Sequence, residues 1–178
     1  MSNFFALVAL AAAMPVCFAD SAAGLAWTPP ASWKSLGSRP MRAATYAVPA
    51  TAGDKEDGEC AVYYFGPGQG GSVEANLDRW TKQFEQADGK PSSQAAQVKK
   101  RTVHGIAVTT VDVSGTYSGM GGPMAASKSV KPGYRLLGAI AEAQEGAVFF
   151  KFTGPAKTVA AQQAKFGSLI ESLKSASK

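Results

Sequence analysis

Two pairs of alternating segments, each separated by a short turn, constrain the fold of this chain more than any other feature. Residues 97–103 and 106–117 flank the turn signal His104-Gly105, and residues 134–143 and 147–153 flank a second turn that ends at Gly146. Along residues 106–117 the side chains alternate between two faces, which is typical of a strand. Strands joined by short turns pair antiparallel, so these segments predict an antiparallel sheet.

Two further strands are predicted upstream of these hairpins. Residues 42–48 alternate loosely and end at a proline, and residues 59–65 form a β-type run. The polar, turn-rich residues 49–58 between them indicate a hairpin with a long loop. Before these strands, residues 25–36 carry two tryptophans and two prolines, and we expect this lead-in to pack across the domain.

Two segments have the pattern of amphipathic helices. The first begins after the N-cap Ser72, with Glu74 in its first turn, and is predicted to end at Asp88-Gly89. The second follows Gly154-Pro155. Each presents an apolar stripe that must be buried against the sheet. The stripes consist of Val73, Leu77, Trp80 and Phe84 in the first helix and of Val159, Phe166, Leu169, Ile170 and Leu173 in the second.

The predicted element order is therefore β-β-α-β-β-β-β-α. We expect an α+β fold in which an antiparallel sheet of about six strands is sandwiched with two main helices. The sequence contains no internal repeat and no sign of a second domain, so residues 20–178 are predicted to form one domain.

The first 19 residues resemble an export signal. Residues 4–13 form an apolar run, Pro15 interrupts it, and Ala19 precedes a plausible cleavage site at Asp20. The run is too short to span a membrane, which needs about 20 apolar residues. We therefore expect a signal peptide at 1–19 and a periplasmic or secreted protein. Cleavage after Ala23 and lipidation of Cys17 are the alternatives.

The charge of the chain gives little information about partners. Its 178 residues carry a net charge of +5, and the lysines and arginines are scattered along the sequence. This distribution favours weak attraction to anionic surfaces and argues against nucleic acid as a partner. After removal of the signal only Cys60 remains, in a β-type run, so we expect a buried thiol and no disulfide within the chain.

A glycine-rich turn joins the strand 59–65 to the first helix. Residues 66–71 match G-x-G-x-x-G and include Gly68, Gly70 and Gly71. Such a turn can direct backbone N–H groups at an anion. The antiparallel sheet, Pro67 and the lack of a following parallel strand argue against a dinucleotide site. The segment is therefore a structural turn, with a modest anion site as the alternative.

Asn76, Arg79 and Gln83 form a polar row beside the apolar stripe of the first helix. An arginine between two amides could bind a carboxylate, a phosphate or a peptide backbone. Alternatively, these side chains tie neighbouring loops to the helix. An Arg79→Ala variant separates the two roles, because a structural arginine affects stability and a binding arginine does not.

Residues 118–133 are rich in glycine, lack periodicity and are predicted to form a long loop with Met120 and Met124. Long loops in compact domains are often functional. The flexible methionines could contact a protein partner, or they could hold Cu(I). Without supporting histidines the copper site is the weaker hypothesis, so no metal or other cofactor is expected.

No motif in the sequence indicates a catalytic centre. The only histidine, His104, lies in a turn, and H-E-x-x-H, C-x-x-C and G-x-S-x-G are absent from the sequence. The basic run 99–101 alternates across a strand and is expected to form a solvated sheet edge. We therefore expect a binding protein and not an enzyme.

The chain resembles the PsbP-like superfamily. The resemblance rests on the element order, on Gly70-Gly71, Asn76, Arg79-Trp80 and Gln83-Phe84, and on residues 149–155. It implies a non-enzymatic role in binding or assembly, since members are mostly accessory proteins, and it transfers no catalytic residue. We therefore expect the chain to bind an envelope protein or an anionic envelope component. A small-molecule carrier is an alternative, and so is a hydrolase or transferase whose residues are assembled only in three dimensions.

Overall fold

The computed structural model describes residues 19–119 and 130–176. Eleven strands and three helices occur in these ranges. The strands are β1 (Asp20–Ala22), β2 (Leu25–Trp27), β3 (Lys34–Ser35), β4 (Arg42–Val48), β5 (Gly58–Tyr63), β6 (Phe84–Glu85), β7 (Gln97–Val103), β8 (Ile106–Tyr117), β9 (Lys131–Ala143), β10 (Gly146–Pro155) and β11 (Lys174–Ser175). The helices are α1 (Val73–Thr81), α2 (Ser92–Ala95) and α3 (Ala156–Glu171).

The main sheet has eight strands and is antiparallel throughout. Its order is β3-β4-β5-β10-β9-β8-β6. β6 and β7 both pair with the same edge of β8, at different positions along it. β1, β2 and β11 form a second, three-stranded sheet. The predicted α+β class and the predicted antiparallel sheet with two main helices are confirmed. The additional strands are short, and the six long strands of the main sheet are the six that the sequence indicates.

Helix α3 covers one face of the main sheet. The stripe predicted for this helix is buried, and it packs into the larger of two apolar clusters. Trp27 and Trp33 belong to the same cluster, so the lead-in does pack across the domain, as expected. Cys60 is fully buried there, and burial raises the pKa of its thiol, as expected for a structural cysteine.

Helix α1 covers part of the opposite face. Ser72 is its N-cap, as predicted, and accepts a hydrogen bond from the backbone N–H of Ala75 at 3.1 Å. Trp80 packs over β9, where a Cβ atom on Gly138 would lie 2.5 Å from the indole ring. The helix therefore docks closely because β9 has a glycine at this point. Trp80, Phe84, Val111, Val113, Leu136, Ile140 and Phe149 form the smaller apolar cluster.

The predicted end of the first helix at Asp88-Gly89 is wrong. The helix ends at Thr81, and Phe84 lies in β6, where it pairs with Tyr117 of β8. Phe84 remains buried in the smaller cluster. The apolar pattern therefore continues past the end of the helix, because the next apolar residue belongs to a strand and is buried on the same face of the sheet.

The predicted loop 118–133 is also too long at its C-terminal end. Strand β9 begins at Lys131, which pairs with Tyr117 of β8. Met120 and Met124 lie outside the described residues. The basic run of β7 is exposed on an edge strand, as predicted, and His104 lies in the β7–β8 turn with a positive φ of 46°.

Within residues 19–119 and 130–176, no helix combines the length and the apolar character needed to cross a membrane.

Candidate functional site

The part of the sheet that α1 leaves uncovered carries polar and aromatic side chains. Along β10, strand alternation places Phe149, Lys151 and Thr153 on the α1 side. Phe149 packs with Trp80 of α1 in the smaller cluster, whereas Lys151 bonds Gln83, which follows the end of the helix. Two adjoining cavities open at this boundary, and both are lined by Lys151 and Tyr63.

The first, which we call the aromatic cavity, has a volume of about 160 Å³. Its lining is largely apolar and includes the polar side chains of Arg79, Gln83 and Lys151. The lining residues are Met41, Tyr63, Phe65, Arg79, Trp80, Gln83, Phe149 and Lys151. The second, which we call the polar cavity, has a volume of about 340 Å³ and is lined by residues that include Arg42, Glu56, Glu59, Tyr117, Lys131 and Thr153.

Lys151 lines both cavities, as Tyr63 does. Its Nζ donates a hydrogen bond to Gln83 Oε1 at 2.5 Å and lies 3.4 Å from the Tyr117 hydroxyl, with the Tyr117 ring centroid 5.4 Å away. Burial of the ammonium lowers the pKa of Lys151 to about 8. The charge of Glu59 opposes this shift, whereas the charges of Arg79 and Arg42 add to it.

Gln83 has one amide atom without a partner. The side chain is only 5% exposed, and its Oε1 accepts the bond from Lys151. Because an ammonium can only donate, this bond fixes the amide orientation and leaves Nε2 as a free donor. Among the described residues, Nε2 has no acceptor, and the Oγ1 atom of Thr153 in the polar cavity is also without a partner. Both atoms are therefore buried as well as unpartnered, in residues that line the two cavities.

Arg79 lies at the exposed rim of the aromatic cavity. Its Nη2 donates to Asn76 Oδ1, and no ion pair involving Arg79 or Lys151 occurs in the part of the chain that the structure describes. The other cations on this face are paired: Arg42 with Glu59 at 2.9 Å, and Lys131 with Glu56. Arg79 and Lys151 are therefore two cations beside one cavity without a carboxylate partner.

Asn76 is used inside the protein. It is 1% exposed, and its Nδ2 donates to the carbonyl oxygens of Gly70 and Ser72, each at 2.8 Å. Its amide thus ties the glycine-rich turn to α1, and its Oδ1 orients Arg79. Of the predicted polar row, Arg79 and Gln83 reach the cavity and Asn76 supports them from behind.

The glycine-rich turn packs against the core. Gly68, Gly70 and Gly71 all have positive φ angles, which favour glycine. A Cβ atom on Gly70 would lie 2.8 Å from the Phe149 ring. Gly70 therefore allows the turn to pack against Phe149, which also lines the aromatic cavity.

Sequence reasoning missed Lys151, Tyr63 and Tyr117. A signal for Lys151 does exist, because it follows Phe149 by two residues in a strand and so shares a face with a buried aromatic side chain. Tyr117 stacks on Tyr134 at a centroid distance of 5.9 Å, across the two strands that flank residues 118–130. The described residues contain no group of three or more His, Cys, Asp or Glu side chains suited to a metal ion.

The architecture is similar to two solved structures. The solution structure of cyanobacterial PsbP (CyanoP) from Synechocystis sp. aligns with 93% of this chain and 98% of its own, at a TM-score of 0.52 and 12% identity. The fold is PsbP-like. The crystal structure of PA94, a protein of unknown function from Pseudomonas aeruginosa, aligns with 91% of this chain and 99% of its own, at a TM-score of 0.51 and 10% identity. No protein-family profile and no curated protein sequence matches the chain.

The two comparisons confirm the predicted resemblance at the level of the fold. Identities of 10% and 12% carry no functional residue from either protein to this one. The candidate site on the PsbP-like fold therefore rests on its own geometry: an aromatic cavity with two unpaired cations and a buried free donor beside it.

Proposed function

We propose that the protein is an exported, non-enzymatic binding or assembly module of the cell envelope. Its site is the aromatic cavity, and it binds there an anionic group carried by an envelope protein or by another envelope component. The expected signal peptide supports export, and the unpaired cations Arg79 and Lys151 support the charge of the ligand.

The free donor of Gln83 is the observation that carries this proposal. A buried polar group without a partner costs about 1–3 kcal/mol. Here the unpaired Nε2 belongs to a residue that lines a cavity together with two cations that lack carboxylate partners. An anionic oxygen bound between the two cations would neutralise charge that burial makes unfavourable, and it would supply the missing acceptor once the Gln83 side chain turns its buried Nε2 toward the cavity.

Crosslinking in the native cell envelope tests the proposal. A photoreactive residue would replace Met41, which is 68% exposed and lines the cavity, and a control probe would replace Val98 on the exposed edge strand β7. We expect a reproducible adduct from position 41 that disappears in a Lys151→Met background. No adduct, or an adduct that Lys151→Met leaves unchanged, would contradict the assignment of this site.

A small-molecule carrier is the second candidate function, because the aromatic cavity is largely apolar and closely lined. Mass spectrometry of organic extracts from the purified protein tests it. Loss of a stoichiometric compound from a variant with a filled cavity, such as Gly70→Phe, would have two explanations, because that variant could also fail to fold. Lys151→Met removes a cation and leaves the apolar walls in place, so an apolar cargo should remain bound to this variant. Absence of a stoichiometric compound from the wild-type protein would argue against a carrier.

A further inference from the structure

We infer that the aromatic cavity binds the carboxyl-terminal residue of a protein chain whose last side chain is apolar. This inference rests on the proposed function and specifies its ligand. The last side chain, the terminal carboxylate and the preceding residues of the ligand each contact a different part of the site.

The apolar walls select the last side chain. Tyr63, Phe65, Trp80 and Phe149 line a cavity of about 160 Å³. Apolar cavities of about 150 Å³ in proteins accept a group of the size of benzene. One phenylalanine or leucine side chain therefore fits the space. Met41, exposed at the cavity, can adapt to the shape of the bound group because its side chain is unbranched.

The three polar side chains of the same cavity select a carboxylate. Arg79 offers a planar guanidinium, Lys151 an ammonium, and Gln83 the free Nε2 donor. Guanidinium and carboxylate match each other in geometry.

The polar cavity accommodates the residues that precede the carboxyl terminus. It adjoins the aromatic cavity, since Tyr63 and Lys151 line both. A peptide backbone presents alternating donors and acceptors. The polar cavity offers both kinds of partner, including the carboxylates of Glu56 and Glu59 as acceptors and the cations of Arg42 and Lys131 as donors. A free small acid would leave this second cavity unused.

Titration monitored by the NMR signal of the Trp80 indole tests the inference. The main probe is an acetylated tetrapeptide that ends in phenylalanine with a free carboxyl group. The matched probes are the same peptide with an amidated carboxyl terminus, a peptide that ends in glycine, phenylpropionate and inorganic phosphate. We expect the free phenylalanine peptide to bind at least about tenfold more tightly than each of the others.

Two variants connect binding to the site. Gln83→Glu places a carboxylate where the ligand carboxylate would lie and gives Lys151 an ion-pair partner, so the fold should be retained while peptide affinity falls at least about tenfold. Lys100→Met on β7 removes an equal charge at a distant exposed position and should leave affinity unchanged.

Equal binding of the amidated peptide, or of phenylpropionate, would overturn the inference. Binding of phosphate in preference to every carboxylate would also overturn it, while leaving the proposed anion site in place. If no probe shifts Trp80 and position 41 gives no crosslink in the envelope, the proposed function falls together with this inference.

Discussion

At the residue scale, Lys151 occupies a position that strand alternation assigns to a core side chain. It follows Phe149 on one face of β10, and its ammonium is held between the amide of Gln83 and the hydroxyl of Tyr117. Burial disfavours the charged form and lowers its pKa from 10.5 to about 8. The Lys151 charge is therefore less well solvated by water in the folded protein than in the unfolded chain.

This shift makes stability depend on pH in a definite direction. Above about pH 8 the folded protein loses the Lys151 proton, whereas the unfolded chain keeps it until about pH 10.5. The unfolded state then binds more protons, so the contribution of Lys151 to the free energy of unfolding rises with pH. The charges that act on Lys151 come from Glu59, Arg79 and Arg42 on three other elements.

Urea unfolding at about pH 7 and about pH 9.5 measures the effect. We expect the free energy of unfolding of the wild type to increase relative to that of Lys151→Met as the pH rises. The upper limit keeps the tyrosines of the site largely protonated, since burial raises the pKa values of Tyr63 and Tyr117. Parallel pH profiles of the two proteins would show that Lys151 is not desolvated.

Asn76 and Arg79 should differ in their effects on stability. Asn76→Ala removes the side-chain bonds to the carbonyl oxygens of Gly70 and Ser72, and only the Ser72 oxygen keeps the bond from the backbone N–H of residue 76, so we expect a loss of about 1–3 kcal/mol. Arg79→Ala removes an exposed side chain with one bond to Asn76, and we expect a loss below about 1 kcal/mol. Chemical denaturation of both variants measures this difference, and equal losses would assign Arg79 a structural role.

At the element scale, the sequence predicts long elements well and short ones poorly. The bounds of β4, β7 and β8 agree with the alternation of their side chains. Strands of two or three residues, such as β1, β6 and β11, contain less than two full periods of alternation and are set by pairing with distant segments. For this reason the sequence pattern predicts Phe84 as a helix residue, although it lies in β6 and pairs with β8.

The candidate site was predicted only in part for a related reason. Arg79 and Gln83 lie four residues apart, a helical spacing that can be seen in the sequence, although α1 ends at Thr81 before it reaches Gln83. Lys151 and Tyr63 reach the same cavity from β10 and β5, which pair with each other although they are far apart in the chain. No local pattern contains that pairing, and the sequence therefore shows only the α1 side of the site.

Substitution of two glycines tests the contact of α1 with the sheet, with a position on α3 that faces open space as the comparison. In Gly138→Ala, the new methyl group would lie 2.5 Å from the Trp80 ring, so we expect α1 to be displaced and stability to fall by about 1–3 kcal/mol. In Gly167→Ala, the methyl group meets open space on α3, and we expect a gain of about 0.5–1 kcal/mol from helix propensity. Thermal unfolding of the pair measures both changes, and a neutral Gly138→Ala would contradict the close contact.

At the scale of the whole molecule, the N-terminal residues of the described chain complete the fold. Tyr46 donates its hydroxyl to Asp20 and accepts a bond from the Trp27 indole at 2.8 Å. Asp20 also opens β1, which pairs with β2. The N-terminus expected after cleavage at Asp20 therefore belongs to the three-stranded sheet.

Two truncations test this role. Removal of residues 1–19 should leave the free energy of unfolding unchanged. Removal of residues 1–23 deletes β1 and leaves the buried Tyr46 hydroxyl without an acceptor, so we expect a loss of at least about 1–3 kcal/mol. Asp20→Ala isolates the hydroxyl contribution. Equal stability of the two truncated proteins would show that β1 contributes nothing to the fold.

The two helical layers rest on apolar clusters of very different size. The segment that includes α1 runs from β5 across β10, β9 and β8 to β6, and it is held mainly by the smaller cluster. Local opening reactions begin where the least apolar area is buried. Amide hydrogens of α1 should therefore exchange with solvent before those of α3. A ligand that contacts Arg79 on α1 and Lys151 on β10 would join this segment to the sheet, so its binding would be detected first as slower exchange in α1.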